Sequence, residues 1–325
     1  MNAADAGYYL DSFLAPLASV LERADVTDIW INRPKELWVE SLGGGIERID
    51  EPSLEPKLLD RLAKQIAAHS SQGISREQPL LAATLPDGSR VQIIAPPATR
   101  NGHVFAIRKH VSANLSLADW EDAEAFRDMD RNASVLKQER AFEPLTGQEA
   151  AKCLRNAVRN RRNVLISGGT SSGKTTFLNS LLAEIPAQER LVLIEDTAEL
   201  YLQHDNAVGL IAARGEMSQA QISAEDLLIA ALRMRPDRII LGELRGIEAF
   251  TFLRAVNTGH PGSMTTVHAD TPNRAIEQLA LLVLQAGSKL SREDVRHYVR
   301  ESIDMFVQLE RRAGKRRVAQ VLVAE

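Results

Sequence analysis

The residues best suited to chemistry are Gly168-Gly169-Thr170-Ser171-Ser172-Gly173-Lys174-Thr175, followed by Thr176, which fit G-x-x-x-x-G-K-[ST] throughout. Glycines at such positions let successive backbone N–H groups converge on one anion, and a helix opening behind them adds its positive end. An ammonium at Lys174 is expected to reach the β- and γ-phosphates of ATP, and the Thr175 hydroxyl to hold Mg2+. The bland alternative is a glycine-rich turn with no ligand. It fits poorly here, because the run follows an apolar strand segment and opens a helical one.

Phosphoryl transfer to water also needs carboxylates near the terminal phosphate. Arg238-Ile239-Ile240-Leu241-Gly242-Glu243 is an apolar strand ending in an acid, the arrangement of a Walker B segment, and Glu243 is the candidate that aligns or activates water. An ordinary strand-end glutamate facing solvent is the competing reading. A second acidic pair, Glu195-Asp196, ends the strand Leu191–Ile194 and is a candidate for Mg2+ support, partly through water. Asp196-Thr197 reads equally as a turn cap. His260 and His268 flank another apolar strand in a Gly/Ser/Thr-rich loop and are candidates for sensing phosphate. No third His or Cys lies at ligand spacing, so a zinc site is not expected. Arg90 and Arg108 lie on adjacent candidate strands and are expected to project from one face, while Arg233, Arg235, Arg245 and Arg254 flank the Walker B run. For any one of these arginines, a surface salt bridge is the default.

The elements that must position these groups follow from periodicity. From Gly147 onward, candidate strands (Val164–Ser167, Leu191–Ile194, Val208–Ala212, Arg238–Leu241, Ser263–Val267) alternate with helices (Lys174–Glu184, Ala224–Met234, Gly246–Asn257, Asn273–Ala286). That alternation predicts an α/β domain with a largely parallel sheet, closed by a hairpin of Met305–Leu309 and Val318–Val323. Before it lies a smaller mixed α+β domain. It has helical spacing at Tyr9–Arg23 and Leu54–His69, and extended segments at Asp28–Asn32, Glu36–Glu40 and Phe105–Arg108. A hairpin across Pro86-Asp87-Gly88 joins Leu80–Leu85 to Arg90–Ala95. The boundaries expected are 1–111 for the first domain, 112–144 for an acidic linker, and 145–325 for the ATPase domain.

Two domains suit a chain of 325 residues. With 44% hydrophobic residues but only 5% aromatic ones, the cores must be aliphatic, as in buried parallel strands. The net charge of −4 argues against nucleic acid as a direct partner. One cysteine, Cys153, excludes an intrachain disulfide and fits a reducing compartment. Met1–Tyr9 does not read as a signal peptide, and the apolar run Leu279–Leu284 is too short to span a bilayer. The expected location is cytoplasmic, or peripheral to a membrane from the cytosolic side.

Four segments occur in order: Gly-Gly-Thr-Ser-Ser-Gly-Lys-Thr-Thr, Ile-Glu-Asp-Thr-Ala-Glu-Leu, Arg-Pro-Asp-Arg-Ile-Ile-Leu-Gly-Glu-Leu-Arg-Gly, and Thr-Gly-His-Pro-Gly-Ser-Met-Thr-Thr-Val-His-Ala. Together they resemble the Walker A, Asp box, Walker B and His box of the secretion ATPase superfamily. Leu-Pro-Asp-Gly-Ser-Arg90-Val-Gln-Ile-Ile-Ala-Pro-Pro-Ala-Thr, with Phe-Ala-Ile-Arg108-Lys, resembles the amino-terminal domain of VirB-type type IV secretion ATPases. The resemblance implies a RecA-like second domain and a hexameric ring with ATP and Mg2+ between the domains. It also implies catalytic or phosphate-sensing roles for Glu243, Glu195, His268, Arg90 and Arg108. The partners implied are further copies of the chain, an inner-membrane secretion channel and its coupling ATPase. Related possibilities are a type IV pilus, tight-adherence or type II secretion motor. A nucleotide-gated switch with negligible turnover is the alternative from another class.

Overall fold

A computed structural model describes residues 10, 12–42, 44–109, 142–145, 147–212, 221–312 and 315–324. The chain builds two sheets. The first is antiparallel, with strands β1 (Val26–Ile31), β2 (Glu36–Ser41), β3 (Ile46–Asp50), β4 (Leu80–Thr84), β5 (Arg90–Ile94) and β6 (Val104–Arg108) in the order β3-β2-β1-β6-β5-β4. The turn of the β4–β5 hairpin uses Gly88 at φ +85°, the conformation for which Asp-Gly is the sequence signal. Helix α1 (Pro56–His69) lays Leu59, Leu62, Ala63, Ile66 and Ala67 on one face of this sheet.

The second sheet contains β7 (Phe142–Leu145), β8 (Val164–Gly168), β9 (Leu191–Glu195), β10 (Ala207–Ile211), β11 (Arg238–Leu241), β12 (Met264–Val267), β13 (Met305–Arg312) and β14 (Lys315–Ala324). Their order is β10-β9-β11-β12-β8-β13-β14-β7, parallel from β10 to β13 and antiparallel from there to β7. Helices α2 (Gly147–Arg159) and α3 (Lys174–Leu182) cover one face. Helices α4 (Ala224–Ala231), α5 (Glu248–Asn257), α6 (Pro272–Gln285) and α7 (Arg292–Ser302) cover the other. Burial on both faces explains the unbroken apolar strands: Leu191 and Leu193 enter the core under α2 and α3, while Val192 and Ile194 enter the opposite one.

The same alternation joins the two sheets. In β6, Phe105 and Ile107 face α1, whereas Val104 and Ala106 share a core with Val208 and Leu210 of β10. The segment after β5 lies along β10: Arg100 N donates to Gly209 O at 3.2 Å, and Ile211 N donates to Ala98 O at 3.0 Å. This covers an edge strand that would otherwise expose unpaired backbone groups. At the centre of the junction is Arg190, fully buried. It donates to Met234 O (3.1 Å), Asn32 Oδ1 (2.8 Å) and Asn206 Oδ1 (2.6 Å), and its guanidinium stacks 4.5 Å over Trp30. Burial pulls its pKa down to about 9, so it stays charged at neutral pH.

Several sequence expectations need adjustment. Tyr9–Arg23 does not form one continuous helix: Pro16 sits in a 3-10 turn, Ala15–Leu17, before a short α-helical turn, Ala18–Leu21. Residues 1–9 and 11 of that region lie outside the described residues. So does most of the expected 112–144 linker, but its last three residues form, with Leu145, an edge strand of the second sheet (Phe142–Leu145). Strand β3 and helix α7 escaped sequence notice. β3 is largely exposed and carries charges at three of its five positions. α7 buries only Val295, Val299 and Ser302, although its Ser291/Asp294 capping box is a readable start signal.

Candidate active site

The P-loop joins the end of β8 to the start of α3, and two of its glycines are sterically required. A Cβ on Gly168 would lie 2.4 Å from Ser172 Oγ and 2.9 Å from Leu309 O. Gly173, at φ +94°, is the N-cap of α3 and supplies no side-chain cap, which leaves first-turn N–H groups available to an anion. The loop borders a cleft of about 440 Å3. Gly169, Thr170, Ser171, Ser172, Gly173, Lys174, Thr175 and Thr176 line it, as do Glu195, Asp196, Glu243, Arg245, Thr266, His268 and Arg316.

Lys174 is 8% exposed. Its Nζ donates to Gly168 O at 3.0 Å and lies 3.4 Å from each ring nitrogen of His268 and 3.8 Å from Glu243 Oε1. Burial lowers the pKa of this ammonium, the Glu243 carboxylate opposes that shift, and Arg245 adds to it. Glu243 emerges just beyond β11, where the parallel strands end. His268 Nε2 lies 2.9 Å from its Oε1, and Arg245 Nε donates to its Oε2 at 2.5 Å. Arg245 also donates from Nη1 to Asp196 Oδ2 at 3.1 Å, so one guanidinium bridges the two acidic motifs. One carboxylate thus has a histidine nitrogen beside one oxygen and an arginine donating to the other, next to the P-loop lysine.

Glu195 borders the cleft at the end of β9, but its oxygens are already engaged. Oε1 accepts from the backbone N–H groups of Glu199 (2.9 Å) and Leu200 (2.7 Å), and Oε2 forms an ion pair with Arg100 from the first sheet. The geometry thus makes Glu195 an anchor of the loop after β9, while it still borders the cleft in which Mg2+ support, partly through water, is expected of it. A hard cation with a nucleotide still fits the cleft, because the Thr175 hydroxyl and the Asp196 and Glu243 carboxylates supply oxygen donors around it.

The structure separates other candidates from this cleft. Arg90 and Arg108 are direct cross-strand partners on β5 and β6, as expected. They line a different pocket, of about 770 Å3, with Arg233 and Arg235. Carboxylates lie close to this group: Arg235 pairs with Glu40 at 2.9 Å and with Asp28 at 3.5 Å, and Asp28 is the cross-strand partner of Arg108. Within one chain, the expected approach of Arg90 and Arg108 to the phosphates is therefore not made. His260 is also elsewhere: it is half-buried against Ala255 O at 3.4 Å, and burial lowers its pKa. Arg254 stacks on Phe250 at 5.8 Å. Two residues, Arg316 lining the cleft and Arg100 behind its wall, had no sequence signal that singled them out. Arg316 belongs to the basic run Arg311-Arg312-Ala313-Gly314-Lys315-Arg316-Arg317, which reads as a solvated turn, and Arg100 belongs to a loop whose partners are far along the chain.

The family described as Type II/IV secretion system protein matches residues 12–316. The type IV secretion system protein VirB11 of Bartonella quintana is 38% identical, with 95% of this chain and 91% of the relative covered. PtlH of Bordetella pertussis, also a type IV secretion system protein, is 38% identical over 96% of this chain and 94% of its own. Among solved structures, the VirB11 ATPase of the Brucella suis type IV secretion system, in complex with sulphate, superposes with a TM-score of 0.88 at 32% identity. It covers 99% of this chain and 96% of its own.

Proposed function

The chain belongs to the type II/IV secretion system protein family as a VirB11-type ATPase of type IV secretion, and we propose that it is a Mg2+-dependent motor whose sites are completed between protomers of a ring. The observation that carries the catalytic part is the set around Glu243: Lys174, His268 and Arg245 all converge on it beside an uncapped helix N-terminus.

On nucleotide binding, Lys174 exchanges its contacts with Gly168 O and His268 for phosphate oxygens, and the N–H groups of Gly169–Thr176 surround the phosphate chain. Thr175, with Asp196 through water, would hold Mg2+, which neutralises charge on the phosphates. Glu243 accepts a hydrogen bond from the attacking water and aligns it on the γ-phosphorus. His268 and Arg245 fix its two oxygens, and His268 is placed to register loss of the γ-phosphate. In this reading Glu195 supports the metal only indirectly, through the loop it anchors.

Arg90 and Arg108 serve a neighbouring protomer. Their pocket lies outside their own chain's phosphate cleft, yet it gathers four guanidinium groups, of which Arg235 is paired with Glu40 and Asp28, a surface suited to terminal phosphates. A head-to-tail interface that brings this pocket over the next cleft generates a ring, expected to be a hexamer at the cytoplasmic face of the inner membrane. There it would act with the secretion channel and its coupling ATPase. Among the described residues no helix is long and apolar enough to cross a membrane.

Glu243→Gln tests the catalytic reading. Phosphate release is expected to fall by about 10²–10⁴-fold while ATP binding persists. Near-wild-type turnover would remove Glu243 from the mechanism and favour a different water-positioning group. A wild-type protein that binds ATP but releases almost no phosphate would favour the nucleotide-gated switch.

A further inference from the structure

We propose that Arg100, supplied by the first sheet's unit, is a positioning residue of the nucleotide cleft: it neutralises Glu195 and fixes the loop that follows β9. The proposal rests on the nucleotide-binding reading of that cleft.

Arg100 sits in the connection between β5 and β6, in the segment whose backbone pairs with the edge of the second sheet. Thr99 forms a bridge with Leu210, and Arg100 N donates to Gly209 O at 3.2 Å. From there the side chain runs across β10 toward the cleft. Gly209 makes room for it: a Cβ at that position would lie 2.6 Å from Arg100 Cδ and 2.7 Å from Nε. A glycine weakens a strand interior, so its occurrence where a long side chain crosses has a steric reason.

Beyond Gly209 the guanidinium meets two parts of one loop. Nη1 donates to Leu200 O at 2.9 Å, and Nη2 pairs with Glu195 Oε2. Glu195 closes the loop on itself through its bonds to the N–H groups of Glu199 and Leu200. Arg100 is largely buried and Glu195 is 5% exposed, so solvent screens their interaction weakly. Removing one member of such a pair leaves a buried charge uncompensated, which costs far more than an exposed pair is worth.

The consequence for the cleft is electrostatic as well as mechanical. Glu195 and Asp196 border the space that a triphosphate would fill. An uncompensated carboxylate there repels the ligand, and Arg100 removes that repulsion while lying behind the cleft wall. Because Arg100 belongs to the β5–β6 connection, displacement of the first sheet relative to β10 is transmitted to the Glu195–Leu200 loop.

The test is equilibrium binding of a fluorescent ATP analogue to the full chain, with kcat and KM for phosphate release. Wild type is compared with Arg100→Ala, Arg100→Lys, Arg100→Ala/Glu195→Gln and Gly209→Ala. Arg100→Ala is expected to weaken binding by about 10–100-fold, equivalent to ~1.4–2.8 kcal/mol, and to raise KM more than it lowers kcat. Arg100→Lys keeps the charge without the planar fork and is expected to recover part of the loss. Adding Glu195→Gln to Arg100→Ala removes the uncompensated charge and is expected to restore binding to within severalfold of wild type. A purely structural role for Arg100 would not produce that recovery. Gly209→Ala retains both charges but forces the arginine out of its path, so it carries the test even if Arg100→Ala fails to fold. Binding within twofold of wild type in Arg100→Ala or Gly209→Ala overturns the proposal, as does a double variant no better than Arg100→Ala. If wild type itself fails to bind, and Lys174→Ala is indistinguishable from it, the nucleotide reading fails and this inference falls with it.

Discussion

Replacing Arg190 by alanine should loosen the junction between the two sheets by an amount that can be worked from its contacts. The side chain is wholly buried and supplies charged donors to Met234 O, Asn32 Oδ1 and Asn206 Oδ1. After truncation, Asn206 Oδ1 keeps the Asn32 Nδ2 donor at 3.0 Å, while Met234 O and Asn32 Oδ1 lose the guanidinium. Two buried acceptors without donors cost about 1–3 kcal/mol each. Loss of the guanidinium over Trp30 costs about 2 kcal/mol more in a desolvated site. Release of the buried charge into water offsets several kcal/mol of that sum. The net expectation is a destabilisation of about 3 kcal/mol, or a Tm lower by roughly 4 °C in a chain of this size. Urea unfolding followed by tryptophan fluorescence is the assay, because Trp30 lies at the junction and Trp38 packs partly buried beside the same core. A change below about 0.5 kcal/mol, within the range of ordinary surface substitutions, would refute Arg190 as the tie between the sheets.

Gly168→Ala should abolish nucleotide binding with little loss of fold. The added methyl meets Ser172 Oγ and Leu309 O and must push the P-loop off its path; binding of a fluorescent ATP analogue at wild-type affinity would contradict this. Stability should fall as the pH drops from about 7 toward 5, in part through His260, whose pKa burial lowers below the ordinary imidazole value. The unfolded chain then takes up a proton that the folded chain refuses, so this contribution is complete above about pH 6.5 and is lost as the pH falls. His260→Gln should flatten the pH dependence of the urea midpoint, and an unchanged slope would rule the histidine out.

Much of the fold was legible because the second sheet is built from short, continuous apolar strands alternating with amphipathic helices, a pattern set by burial on both faces. The P-loop, Glu243 and His268 were legible for a local reason: each closes or follows a strand that ends at the cleft. That Arg90 and Arg108 lie on adjacent strands was legible from the two extended segments that carry them. What sequence hid depends on contacts between distant segments. Nothing in Thr99-Arg100-Asn101-Gly102 announces a guanidinium that crosses Gly209 to reach Glu195. Nor does Leu191–Glu195 reveal that its carboxylate is committed to Arg100 and two backbone amides before any metal arrives. β3 was hidden because an exposed edge strand lacks the apolar alternation that marks a half-buried one.

The claim that each site is shared between protomers is tested most directly by mixing two defective variants. Lys174→Ala lacks the P-loop ammonium but keeps Arg90 and Arg108, and Arg108→Ala has the reverse defect. Each alone should release little phosphate from ATP. Mixed in equal amounts and allowed to exchange protomers, they should recover about a quarter of wild-type specific activity, the share of head-to-tail interfaces that unite an intact P-loop with an intact arginine pair. A mixture no more active than its two components would contradict the shared site and confine catalysis to a single chain.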